Sequence, residues 1–153
     1  MAVPISFPST TSRFSLPLLF AGQAQKEFFV NQAFSLIDSL MTGTVKESLD
    51  TPPIAPIEGE SFRIVAPASG DWAGHDDELA IFVGGAWHFV APQSGMRVFD
   101  QQADAFVHFS SGWQVPVEPT QPSGGSTIDA EARQIIAELI EALQKSGVFA
   151  RTA

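Results

Sequence analysis

Apolar and polar positions divide the chain into segments with different periods. From about Ala24, the residues Phe29, Ala33, Leu36 and Leu40 recur at 4-3-4 spacing, and Val30, Phe34, Ile37 and Met41 widen the stripe. The pattern predicts an amphipathic helix ended by Gly43. Ahead of it, residues 1–23 carry Pro4, Pro8 and Pro17, which have no backbone donor, so this segment reads as an extended arm. After a proline-rich connector at Asp50–Glu60 the period shortens. Ser61–Ala66, Leu79–Val83, Ala86–Val90, Met96–Asp100 and Ala105–Phe109 are short runs of β-branched and aromatic residues bounded by turn formers. They predict five or six antiparallel strands.

Two of these runs belong to an internal repeat. Ile81–Val90 aligns with Val107–Pro116 at an offset of 26 residues, each reading as strand, small-residue turn, tryptophan, strand. Both copies predict hairpins whose glycines supply positive φ. Trp87 and Trp113 directly follow the turns, and Trp72 after Ser69-Gly70-Asp71 echoes them. Residues 116–126 are rich in Pro, Gly, Ser and Thr and read as a linker. A second helix is expected over residues 127–148. Thr127 offers its cap, Ile128, Ala132, Ile135, Leu139 and Ala142 recur at 4-3-4-3 spacing, and Ser146-Gly147 ends it. Ile136, Ile140 and Leu143 add a second apolar row, too much for a tethered helix to hide alone.

The predicted fold class is therefore α+β, mainly β. An antiparallel hairpin domain packs on one N-terminal helix over residues 24–115, followed by the linker and a tethered C-terminal helix.

The chain has 153 residues, 44% of them hydrophobic, which suits one domain with a core. Eight Lys and Arg against seventeen Asp and Glu leave a net charge of −9, which argues against nucleic acid and anionic membrane surfaces as partners. No apolar run is long enough for membrane insertion. The N-terminus has no basic residue before Arg13, so synthesis in the cytoplasm is expected. With no cysteine and no tyrosine, thiolate chemistry, sulfur-ligated metal and phenolic acid–base work are excluded.

The remaining candidates for chemistry are few. His75, Asp76, Asp77 and Glu78 lack metal-ligand spacing and read as a solvated loop. His88 and His108 alternate with apolar neighbours, which places them on a solvent face. No catalytic, metal or cofactor site is expected, and the chain reads as a non-enzyme. Trp87 and Trp113 can stack on sugar rings if exposed, or close hairpin ends if buried. Ile128, Ala132, Ile135, Ile136, Leu139, Ile140 and Leu143 are the candidate surface for self-assembly or a partner. A polysaccharide hydrolase would have to draw its carboxylates from Asp71, Asp76, Asp77 and Glu78.

The run Leu16-Pro17-Leu18-Leu19-Phe20-Ala21-Gly22-Gln23-Ala24-Gln25-Lys26-Glu27, then Asn31-Gln32-Ala33 and Leu36-Ile37-Asp38, resembles the opening of a domain family of unknown function found among structural proteins of alphaproteobacterial phages and gene transfer agents. Pro52-Pro53 with Glu58-Gly59-Glu60, Ala68–His75, Gly85–Phe89 and Ala91–Gly95 resemble its later blocks in the same order. The resemblance spans about residues 15 to 115. It implies a part of a phage-like particle on the head exterior: the base of a spike on the capsid vertex, holding a receptor-binding fibre and supporting adhesion to capsular polysaccharide. The implied partners are a capsid protein and a spike fibre protein. The implied assembly is a cyclic homo-oligomer, with a pentamer suiting an icosahedral vertex. Direct binding of capsular polysaccharide by this chain is the competing expectation. The polar block Gly22–Glu27 reads as a latch between arm and helix.

Overall fold

The computed structural model describes residues 16–19, 22, 24, 26–117, 119–120, 124 and 129–149. Most of the expected arm, much of the linker, Gln23 and Gln25 of the latch, Thr127 and Ile128 lie outside the described residues.

In chain order the elements are α1 (Lys26–Thr42), β1 (Thr44–Val45), β2 (Ser48–Leu49), β3 (Ser61–Ile64), β4 (Leu79–Val83), β5 (Ala86–Val90), β6 (Arg97–Asp100), β7 (Ala105–Phe109), β8 (Trp113–Gln114) and α2 (Ala130–Lys145). The strands form two four-stranded sheets, β1-β6-β7-β8 and β2-β3-β4-β5. The fold is thus mainly β with a helix at each end, as the pattern predicted. The five longer strands fall on the five expected runs. Two pairings depart from the expected antiparallel scheme: β1 joins β6, and β2 joins β3, in parallel. Both strands come from the short stretch after Gly43, which crosses from one sheet to the other and fastens an edge of each. Two-residue strands have no period to read, so pattern could not reveal them.

Gly43 ends α1 at φ +58, and its carbonyl accepts the Phe99 amide at 2.7 Å, so the helix stop also begins β1 pairing. In the first repeat copy, Gly84 and Gly85 both take positive φ between β4 and β5, as a tight hairpin requires. The second copy is also a hairpin, β7 to β8, but Gly112 is outside the left-handed region. A three-residue loop, Ser110–Gly112, spreads the reversal and removes that demand.

Hydrophobic burial occurs on both faces of the β2-β3-β4-β5 sheet. Leu79, Ile81 and Val90 face Val45, Val98 and Val107 of the other sheet, with Leu16 and Leu36 closing the cluster. On the opposite face Phe62, Ile64 and Ala80 pack against Trp72, which is fully buried, with Trp87 and Phe89 beside them. Trp72 meets Trp87 edge to face at 5.1 Å between ring centres.

The second helix starts at Ala130. Its cap is Asp129, whose Oδ1 accepts the Ala132 amide at 2.9 Å; the sequence pattern had put the cap at Thr127. It ends as foreseen at Ser146-Gly147, where Val148 N donates to Leu143 O (2.8 Å) and Gly147 N to Gln144 O (3.0 Å), a double closure that satisfies the last carbonyls.

Candidate functional site

The helix α1 is fastened by one face only. Leu36 is buried in the inter-sheet core and Leu40 packs against it. Four residues ahead of Leu36, Gln32 Nε2 donates to His88 Nδ1 at 3.0 Å, and His88 Nε2 lies 3.2 Å from Val83 O, where it donates. His88 is therefore half-buried under α1 and not on a solvent face. Strand alternation implies a wet face only when one side of the sheet is open, and here both are covered. His108, in contrast, is exposed as expected.

A helix turns 100° per residue, so Phe34 and Met41 point away from Leu36 and Ile37 stands about 100° to its side. Phe34 is 65% and Met41 81% exposed, and Ile37 is exposed beside them. Three of the four residues that seem to widen the core stripe thus form a second stripe facing outward, at 3-4 spacing, whereas Val30 is half-buried.

A similar division runs along α2. Ile140 is buried and Leu143 half-buried, so these two expected contact residues are covered within the chain; Ala132, Ile135, Ile136 and Leu139 are exposed. Ile128 lies outside the described residues. The end of α2 is seated on the β1-β6-β7-β8 sheet, where Gly147 O accepts the Phe106 amide at 2.7 Å. The rings of Phe99 and Phe106 stand so close to Gly147 that an added Cβ would lie 3.0 Å from Phe99. The tethered helix is docked by its C-terminal end and leaves an apolar row outward.

The tryptophans occupy three environments. Trp72 is core. Trp113 is half-buried between rings and sheet, and its Nε1 donates to Asp77 O at 2.8 Å, tying β8 to the loop before β4. Trp87 is half-buried, and one side of it lines a groove of about 690 Å³ shared with Phe82, Phe89, Pro52, Pro56 and Asp71. Of the two sugar-stacking candidates, Trp87 alone lines this groove.

Two members of the acidic cluster, Asp76 and Glu78, are taken up by structural contacts. Asp76 Oδ1 accepts the Ala68 amide at 2.7 Å, and Glu78 pairs with His75 at 2.8 Å while the imidazole stacks on Phe89 at 3.6 Å. Among the described residues, no group of three or more His, Asp or Glu is arranged to hold a metal ion, and no helix is long and apolar enough to cross a membrane.

The fold and its surfaces define a two-sheet β domain that presents apolar helix faces and an aromatic groove. The chain belongs to the family described as protein of unknown function DUF2793, whose model matches residues 30–114, more than half of its length. None of the curated proteins matches it. The matched region runs from within α1 to β8, so most of the first helix and both sheets are the family's domain, while α2 lies beyond it.

Proposed function

We propose that this chain is a non-enzymatic structural component of a phage-like particle, the base of a gene transfer agent head spike on the capsid vertex, which anchors a receptor-binding fibre and supports adhesion to host capsule. The observation that carries the structural role is the outward apolar row on each helix. Burying Phe34, Ile37 and Met41 contributes roughly 1.5–3 kcal/mol each, against an association cost of about 4–15 kcal/mol. One stripe alone gives a weak contact. Together with Ile135, Ile136 and Leu139 of α2, the gross gain is at most about 9–18 kcal/mol, which exceeds all but the highest association costs. The place on a capsid vertex rests on the resemblance of residues 15–115 to phage and gene transfer agent structural proteins. Cyclic order, five-fold at a vertex, follows from heterologous contacts that close. Imaging particles from cells with and without this chain tests the assignment: vertex spikes should vanish without it, and particles that keep their spikes overturn it.

A second reading is favoured by the Trp87 groove. A flat indole beside Asp71 can stack on a sugar ring and bond its hydroxyls, which would make the chain itself a binder of capsular polysaccharide. Purified capsular polysaccharide should then quench or shift tryptophan emission, and a Trp87→Phe variant should lose that response. An unchanged spectrum removes this reading.

A further inference from the structure

The strand β5 is an edge of its sheet. Phe82, opposite Trp87, donates its amide to Glu60 O at 2.9 Å on the β3 side. Phe82 therefore turns its polar groups away from β5, and the alternation of an antiparallel ladder points the N–H and C=O of Trp87 and Phe89 outward. Among the described residues, no hydrogen bond reaches these four groups. The side chains of the same two residues line the groove with Phe82, Pro52 and Asp71. An open edge flanked by an apolar groove is a template for one more strand.

The geometry restricts what can add there. In an antiparallel pair, residues that exchange bonds with Trp87 and Phe89 share their face, so alternate positions must bring both a free N–H and an apolar side chain. The start of this chain, Val3-Pro4-Ile5-Ser6-Phe7-Pro8, has that pattern: donors and apolar groups coincide at Val3, Ile5 and Phe7. Pro4 and Pro8 fall on the other side, where a missing donor meets only solvent and blocks any further strand. Before Leu16 the only charged side chain is Arg13, so the arm is cationic while the whole chain carries −9 and the groove holds Asp71. Leu16 itself is buried with Ile81 and Val90, on the face of the sheet opposite the groove. The arm thus sets out from the far side of its own sheet, and a neighbouring molecule's arm reaches β5 without passing round that edge.

We infer that residues 3–7 of a second copy add to β5 as an antiparallel strand and seat Val3, Ile5 and Phe7 in the groove beside Trp87 and Phe89. The inference rests on the reading of the chain as self-assembling, and not on which particle it joins. Head-to-tail donation of this kind makes a ring where the rotation between copies closes, and a filament where it does not.

Amide hydrogen exchange of the full chain at rising concentration tests it. The Trp87 and Phe89 amides should gain protection as concentration rises, and Ile5→Asp should reduce it about tenfold or more while the Ile81 amide, inside the sheet, stays unchanged. With Ile5 opposite Trp87, Ser6 falls opposite Ala86. Mixed S6C and A86C chains, in a protein otherwise free of cysteine, should then form a disulfide between molecules. Open-edge exchange at every concentration overturns the inference, and so does protection that persists undiminished on dilution, since that marks a chain's own arm. A ring confirmed by exchange that never binds capsids would sink the particle assignment and leave the arm exchange standing; spikes lost without the chain, with open-edge exchange, would do the reverse.

Discussion

Arg63 and Asp100, the two charged side chains buried among the described residues, are joined through a single hydroxyl: Arg63 Nε donates to Ser48 Oγ at 2.8 Å, and Ser48 Oγ donates to Asp100 Oδ2. The relay runs from β3 through β2 to β6 and so crosses from one sheet to the other. Asp100 Oδ1 also accepts the amides of Gln102 and Ala103, at 3.1 and 3.0 Å. Burial pushes the Arg63 guanidinium below its ordinary value, and the charges of Asp100 and Asp77 oppose that shift. Isolated charges at this depth would be costly, whereas the linked set acts as a polar pin through an otherwise apolar seam.

Ser48→Ala should therefore do more than remove one hydroxyl. It leaves two buried charged groups without their common partner, and a loss of about 1–3 kcal/mol is expected. Asp100→Ala leaves Arg63 with the Ser48 hydroxyl but without its main opposite charge, and should cost about 3–5 kcal/mol. Urea unfolding midpoints at constant m-value measure both, and a Ser48→Ala midpoint equal to the parent's would contradict the relay.

The anchoring of α1 can be separated from its outward stripe. Leu36→Ala opens the core and should cost about 2–5 kcal/mol, and Gln32→Ala, which frees His88, about 0.5–1.5 kcal/mol. Met41→Glu and Phe34→Glu change exposed positions, so thermal stability of the dilute chain should stay nearly constant. The mass in solution at high concentration should fall in those two variants alone, as light scattering can read.

Gly147→Ala tests the docking of α2. The residue sits at φ +70 with its Cα facing the Phe99 and Phe106 rings, so an added methyl meets both conformational strain and contact at 3.0 Å. A loss of at least about 1–2 kcal/mol is expected from the backbone alone. Limited proteolysis should cut the segment before α2 faster in this variant, with the two sheets left intact.

Acid should weaken the loop that carries Glu60. The Lys46 ammonium at 2.6 Å and then the Ile57 N–H hold this carboxyl below its ordinary 4.5. A carboxyl whose folded value is lowered contributes stability above its unfolded value and loses it as pH falls through the folded one. The stability difference between the parent and Lys46→Met should be present near neutrality, stay below about 1 kcal/mol because water screens the pair, and disappear in strong acid. Denaturant titrations at several pH values read the difference directly.

Features governed by neighbours in the chain were legible in the sequence. The 4-3-4 rows located α1, Gly43 and Gly147 ended the helices, and the five longer strands lay where β-branched and aromatic residues cluster. The Gly84-Gly85 turn between Ile81–Val83 and Ala86–Val90 announced its hairpin. Other features needed partners distant in sequence. His88 reads as solvent-facing until Gln32 is brought over it, 56 positions away. Ser48 carries no signal at all, because its role comes from Arg63 and Asp100 converging on it. The open edge at Trp87 and Phe89 became visible only once Glu60 was seen to take the Phe82 amide.

Local backbone preference and periodicity thus determined which segments become helices and strands and where they stop, since those choices are decided within a few residues. Which face of each element is dry was settled by tertiary packing. Both sides of the β2-β3-β4-β5 sheet are covered, whereas α1 and α2 each keep an apolar row in water, because burial depends on what arrives from elsewhere in the chain and two thin sheets have only so much surface to offer two amphipathic helices.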